Sequence, residues 1–448
     1  MVKKIYTHDK VLMKLFQKFP GLDRVQGLKL AMKLFQKFPG LDRVQGLRLV
    51  HTKLPTPIPL SHKKESVTMA QYNNWITKGV PYVLTVILAA AFIFFGNRFA
   101  TMGMFVHDYA YAGETFEVRV TEVLSVTEHS AGDEYWHVYL FAARITTRGA
   151  SRGDIVNFTQ STRFLQETAA RIAREGDRVM LVRTAAGAWS FIDFVRFGNV
   201  AALGIIFFGL LIAFCRFKGF NTMVSLGFTG LAVFSVFIPS VLSGRNIYVM
   251  AIMICVFTIV TTLFMTNGIN KKTAAAVLGC LGGIFAAGVI TLITSSVMEL
   301  TGVTQPESRI LLTLIPDNPI DLNALIFAGI IIGASGAIMD TAVSISAALW
   351  EIKRQAPDIS FAKLYRSGIN IGKDIMGTSI NTLVLAYIGG SLTIVIFFLS
   401  HFNSVTRILN RELVLVEFMQ AIIGGFGILL AMPLTAVVCA FLLKGDRV

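Results

Sequence analysis

Eight apolar runs dominate this chain, at Gly79 to Gly96, Gly198 to Cys215, Phe220 to Leu242, Ile247 to Thr266, Thr273 to Met298, Leu322 to Trp350, Ile375 to Ser400 and Phe418 to Leu443. Each is long enough for a helix to cross a hydrocarbon layer about 30 Å thick, which takes roughly 20 residues because lipid offers the backbone no hydrogen-bond partners. Seven of them hold no Asp, Glu, Lys or Arg, and the sixth holds Asp340. Only 15% of the residues are charged and 54% are hydrophobic, whereas soluble domains are about a quarter charged. A disordered chain, a disulfide miniprotein and an ordinary soluble enzyme are thereby excluded. The expected fold is an all-α transmembrane bundle of about eight spans, with one β-rich extracytoplasmic domain inserted after the first span.

Cationic loops stay in the cytoplasm, and residues 1–77 hold 14 Lys and Arg against four acids. Arg216 and Lys218, Lys271 and Lys272, the stretch from Lys353 to Lys373, and Lys444 and Arg447 fall on the same side. Both termini are therefore expected inside, and the region from Asn97 to Phe197 outside. The division is a basic segment over 1–68, a first anchor over 79–96, the outside domain over 97–197 and a seven-span domain over 198–448. The first run lies far from the start and ends in bulky Phe residues, so it reads as an uncleaved anchor.

Residues 13–31 recur at 32–50 with 17 of 19 positions identical. One reading is a repeated basic segment held against anionic lipid, each cation near the surface contributing about 1 kcal/mol. The other is translation of a duplicated upstream stretch, with Met69 as the working start. Two copies interrupted by Pro20 and Pro39 are too few to stack as a solenoid. Of the net charge of +14, residues 1–77 carry +10 through their 14 basic and four acidic side chains, and the balance gives no reason to expect nucleic acid.

In the outside segment, Thr115 to Val126 and Tyr135 to Thr147 are rich in Val, Phe, Tyr and Thr and read as strands. Arg163 to Glu175 reads as a short amphipathic helix, followed by strands at Arg178 to Arg183 and Ala188 to Phe194. Its 11 Arg are balanced by 12 acids, and it has no Cys, so no disulfide framework is available there. His107, His129 and His137 match no metal spacing and read as loop histidines; no metal or other cofactor is expected.

The polar stripe of the sixth run carries what chemistry there is. Gly329, Gly333, Gly336, Asp340, Ser344, Ala347 and Glu351 follow at steps of three or four, one face of a helix. Small residues there permit close helix contact, while a carboxylate inside a span costs about 2.5 to 3.5 kcal/mol on insertion scales and so should face protein or water. Asp340 is read as a proton or cation site, with interhelical hydrogen bonding as the structural alternative. In the seventh run Asp374, Thr378 and Asn381 share a face beside Thr382, and Gly377 lies among them. Asn381 or Thr382 is the expected partner of Asp340, and Phe361 to Ser367 reads as a separate interfacial turn. Asp340 is placed about 15 Å from the inner end of its helix and Asp374 at the inner boundary. Two acids at different depths cannot share a proton, which disfavours an aspartyl-protease dyad. In the last run Gly424 and Gly427 favour close packing and Pro433 should kink the helix.

Three stretches, Gly333 to Ile352, Gly368 to Gly390 and Asn410 to Val437, resemble the YibE/F-like membrane proteins, with a similarity that extends from about Pro81 to the end. The resemblance implies a multi-pass bacterial cytoplasmic membrane protein and supplies no catalytic residue. An outside domain after the first span plus an aspartate in a Gly-rich later span is also similar to one half of the proton-driven RND exporters, a fold analogy that carries little functional weight. The leading expectation is an ion-coupled transporter or export-assisting permease. The alternative is a non-enzymatic scaffold whose outside domain binds a protein or cell-envelope partner. No P-loop, HExxH or Gly-x-Ser-x-Gly signature points to an enzyme. The expected partners are the lipid bilayer, an envelope component, and further copies or other chains in an oligomer.

Overall fold

The computed structural model describes residues 79–102, 114–131, 134–147, 151–163, 171–184, 187–304, 308, 310–312, 320–401 and 404–444. The duplication at 13–50, Met1, Met69 and His107 lie outside them. Each apolar run forms one helix: α1 Val80–Thr101, α2 Phe197–Cys215, α3 Phe217–Leu242, α4 Ile247–Asn267, α5 Lys271–Val297, α6 Leu322–Gln355, α7 Phe361–His401 and α8 Glu412–Leu442. All eight are long and apolar enough to cross a membrane.

Short polar side chains start several of them. Asn246 caps α4 by accepting from Val249 N at 3.1 Å, Asn270 caps α5 through Thr273 N at 2.8 Å, and Asp321 caps α6 through Ala324 N at 3.0 Å. In α3, the turn Val233–Phe237 widens to a π-helix just before Pro239, where the proline has no N–H to complete the regular ladder.

Two helices outrun their apolar stretches. The end of α6 is built from helix formers, with Glu351 accepting from Arg354 at 3.0 Å and from Gln355 at 2.9 Å. α7 starts at Phe361, so Phe361 to Ser367 forms its first turns rather than a separate interfacial turn. No proline interrupts the sequence from Phe361 to His401, and a hydropathy window undercounts a helix whose first turns carry Lys363, Arg366, Lys373 and Asp374.

α5, α6 and α8 form the centre of the bundle, with Ile330, Ile338, Ile428 and Ala431 fully buried between them. Glycine allows this closeness. A Cβ on Gly283 would lie 2.8 Å from the carbonyl oxygen of Gly427, and one on Gly427 would lie 2.6 Å from Ile338 Cδ1. α7 joins through Gly368, which abuts Ala436 and Leu349, and Gly372, which abuts Met432 and Ile345. α8 runs unbroken through Pro433, which leaves the Leu429 carbonyl without its usual helical donor. At the other extreme, α2 buries no residue.

Between α1 and α2 the chain forms five strands, β1 Thr115–Ala131, β2 Glu134–Ile145, β3 Ile155–Arg163, β4 Arg178–Arg183 and β5 Trp189–Phe194. They close a barrel in the order β1-β2-β3-β5-β4. β1 pairs antiparallel with both β2 and β4, and β3 meets β5 in parallel at Thr159 and Ser190. This is the connectivity of the five-stranded OB barrel. Val118, Val120, Phe141, Phe158, Val179 and Leu181 fill its interior.

Of the helix expected over 163–175, residues 164–170 lie outside the described residues; Arg163 ends β3 and residues 171–174 are irregular. Buried Gln160 holds that coil, donating to Arg171 O and accepting from Ala173 N, both at 3.0 Å. β3 was unforeseen, although Val156, Phe158 and Gln160 alternate inward along it.

Candidate functional site

Asp340 lies near the middle of α6, 18 residues after Leu322 and 15 before Gln355, about 27 and 22 Å along the axis. Contacts with α7 fix what stands beside it. Gly333 faces Tyr387, whose hydroxyl would lie 2.6 Å from a Cβ there; Ile345 meets Gly372, and Leu349 meets Gly368. Counting along these antiparallel helices puts Asp340 level with Gly377 to Ile380, and Asp374 level with Ile345, about 5 to 9 Å further along. This corrects the expected depths. The two acids are therefore closer in depth than expected, and Asp374 follows Phe361 by 13 residues, about 20 Å of helix.

Helical periodicity then decides which way these groups look. On α6, Ile331, Ile338, Ile345 and Leu349 are buried, and the opposite face carries Gly329, Gly333, Gly336, Asp340 and Ser344, all exposed. On α7, Gly368, Gly372 and Leu383 face the bundle, and Lys373, Asp374, Gly377, Thr378, Asn381 and Thr382 are exposed. The two helices are joined along one flank, so the polar stripes look outward rather than toward each other.

Neither expected partner reaches Asp340. Thr382 Oγ1 donates to Thr378 O in its own helix at 2.9 Å, and Thr378 Oγ1 donates to Ile375 O at 2.8 Å. Among the described residues no hydrogen bond or ion pair engages the Asp340 carboxylate. The reason is geometric: Asn381 and Thr382 are displaced around α7 from the flank that touches α6.

The packing glycines divide in the same way. Gly424 abuts Leu383, Gly427 abuts Ile338, and Gly333 abuts Tyr387, as close packing requires. Gly329, Gly336 and Gly377 would each present a Cβ to open space, so within one chain they do not pack helices. The glycines that do pack include Gly279, Gly283, Gly368 and Gly372. A regular spacing of small residues drew attention to α6, yet spacing alone cannot tell a face that meets a neighbour from one that is free.

Two further groups belong to this region. The Tyr387 hydroxyl is buried and unpaired among the described residues, and it lies along the crevice between α7 and α8 that Glu417 also lines. Glu412, at the first residue of α8, closes a clamp. Its carboxylate accepts from Thr301 N at 2.8 Å, Gly302 N at 2.6 Å and Thr301 Oγ1 at 2.7 Å. Those bonds tie the segment after α5 to the start of α8. In the barrel, His129 stacks on Trp136 and His137 tilts against Tyr139.

The architecture is a bundle of eight long apolar helices with a small barrel inserted after the first. A family model described as YibE/F-like protein matches residues 203–445, from α2 to the end of α8, and the chain belongs to that family. The matched region begins after the barrel, so it does not reach back to Pro81 as the sequence resemblance suggested. No match was found among curated proteins or solved structures.

Proposed function

We propose that this protein is a bacterial cytoplasmic-membrane transporter or export-assisting permease driven by an ion gradient, with Asp340 as the group that takes up and releases the coupling proton or cation. Eight apolar helices and the family membership support the membrane setting. The observation that carries the reading is the Asp340 carboxylate, exposed half-way along α6 and engaged by no hydrogen bond or ion pair among the described residues. A carboxylate kept for architecture is normally paired, whereas one that exchanges an ion must be reachable and free to change charge. Ser344, one turn along the same face of α6, offers a further oxygen ligand, and Asn381 lies at a neighbouring depth on α7. Both termini lie in the cytoplasm in this reading, and the barrel lies outside.

Purified protein in liposomes carrying a pH gradient should then give a flux that Asp340→Asn abolishes while abundance stays unchanged. Full flux, or full complementation of a deletion strain, by that variant would refute the coupling role.

The barrel favours a second reading, a scaffold that binds a protein or envelope polymer. Among the described residues β1 continues past Arg119 to Ala131 paired only with β2, with Val123, Leu124 and Val126 exposed. A strand open on one edge can accept another strand. Val123→Ser with Val126→Ser should remove a crosslinked partner and the associated activity even with Asp340 intact. Retention of both would leave the barrel without this role.

A further inference from the structure

We propose that the outward face shared by α6 and α7 is closed by the same face of a second copy of this chain, so that the Asp340 site is completed by residues from two protomers. The inference rests on the membrane reading above and extends its site.

Three observations meet on this face. The first is solvent chemistry: Asp340 and Asp374 are exposed on helices whose remaining outward residues, such as Leu385, Ile388 and Leu392, suit hydrocarbon. Acids within spans turn toward protein or water, and among the described residues no hydrogen bond or ion pair from another element reaches either acid.

The second is self-complementarity. Lys373, exposed beside Asp374, supplies the opposite charge from within the same surface, and neither Asp340, Asp374 nor Lys373 forms an ion pair among the described residues. A two-fold axis along the membrane normal keeps every residue at its own depth in the partner. Asp340 of one protomer then meets the level of Gly377 to Ile380 in the other, one turn from Asn381, and Ser344 meets the level of Asp374 and Lys373. No foreign protein is needed to provide these groups.

The third is shape. Gly336 and Gly377, one turn from Asp340 and level with it, have nothing within 4 Å of a hypothetical Cβ. Several glycines that serve packing inside the chain, Gly283 and Gly427 among them, are crowded in the same test. Bare backbone at the depth of an unpaired carboxylate lets a second helix approach closely enough for its polar groups to reach that carboxylate.

Cysteine crosslinking of the full-length protein in native membranes tests this. Cys215 is exposed while Cys255, Cys280 and Cys439 are buried, so Cys215→Ala provides the background. Gly336→Cys and Gly377→Cys should each give a product of twice the chain mass on oxidation. Ile205→Cys, on the exposed surface of α2, should give none. The unsubstituted protein should have a native mass of two chains in detergent, falling to one in Gly336→Leu. A one-chain native mass with no doubled product at either glycine overturns the inference, as does a crosslinked product of any other mass, which would mark a different protein on this face. A one-chain protein in which Asp340→Asn still abolishes flux would leave the coupling role standing without the second copy. A crosslinked pair in which Asp340→Asn transports normally would do the reverse.

Discussion

α2 and the outward face of α6 and α7 are comparably exposed, yet they ask for different surroundings. α2 buries no residue and presents Leu203, Ile205, Phe207, Leu210 and Phe214. Every one of those side chains is at home in hydrocarbon. The α6–α7 face presents Asp340, Asp374, Lys373 and Asn381 among open glycines. In water the first surface would signal a docking site and the second would be unremarkable. In a bilayer the inference reverses, because the solvent is apolar and a polar surface is the one that needs cover.

The sharpest way to break this comparison exchanges the two chemistries. Ile205→Asp puts a carboxylate on the α2 surface, where insertion scales give a cost of about 2.5 to 3.5 kcal/mol near the centre of a span. The expected result is a severe loss of membrane-inserted protein. Asp340→Leu removes a carboxylate from the other face and should leave abundance unchanged or higher while eliminating flux. Quantitative immunoblotting of washed membranes decides it. Equal abundance for wild-type protein and Ile205→Asp would mean that α2 does not face lipid.

A smaller effect separates crowded from open glycines. Gly427→Leu drives a side chain into Ile338 and Ala287, an overpacking expected to cost about 1 to 3 kcal/mol. Gly336→Leu enters open space, and its cost to the fold of one chain should stay within about 0.5 kcal/mol. Thermal unfolding in detergent, compared at dilutions where wild type and both variants run as single chains, should show a clear drop in Tm for the first and almost none for the second. The opposite order would place the Gly336 face inside the bundle.

How far the sequence could be read follows from the same physics. All eight helices were legible, because a run of apolar residues has few alternatives in a chain of this composition, and most of them begin or end within a few residues of the expected positions. The start of α7 was not legible, since Lys363, Arg366, Lys373 and Asp374 depress a hydropathy window without disturbing a helix. Asp374 therefore lies about 20 Å from the start of its helix, and its nearness in depth to Asp340 emerges only from the contacts between α6 and α7. β1, β2, β4 and β5 announced themselves through β-branched and aromatic residues. β3 did not, because its inward positions include Gln160, whose burial makes sense only once the coil at Arg171 and Ala173 is placed against it. The polar stripe of α6 was correctly recognised as one face, but its direction was beyond the sequence. Periodicity defines a face, and only the neighbours determine whether it looks inward.

The finest test of the comparison lies within α7 itself, between adjacent polar residues that are both exposed. The Thr382 hydroxyl is already engaged by Thr378 O at 2.9 Å, so it asks nothing of its surroundings. Thr382→Val should change stability by no more than about 0.5 kcal/mol and leave flux as it was. Asn381 has an amide with no intrahelical use among the described bonds, one turn from the level of Asp340. Asn381→Leu should preserve abundance and reduce flux several-fold, short of the complete loss expected for Asp340→Asn, because it removes a ligand and leaves the charged group in place. Initial rates in liposomes at matched protein density provide the measurement. If the two substitutions had the same effect, exposure alone would account for both residues, and the polar character of this face would have no bearing on what the protein does.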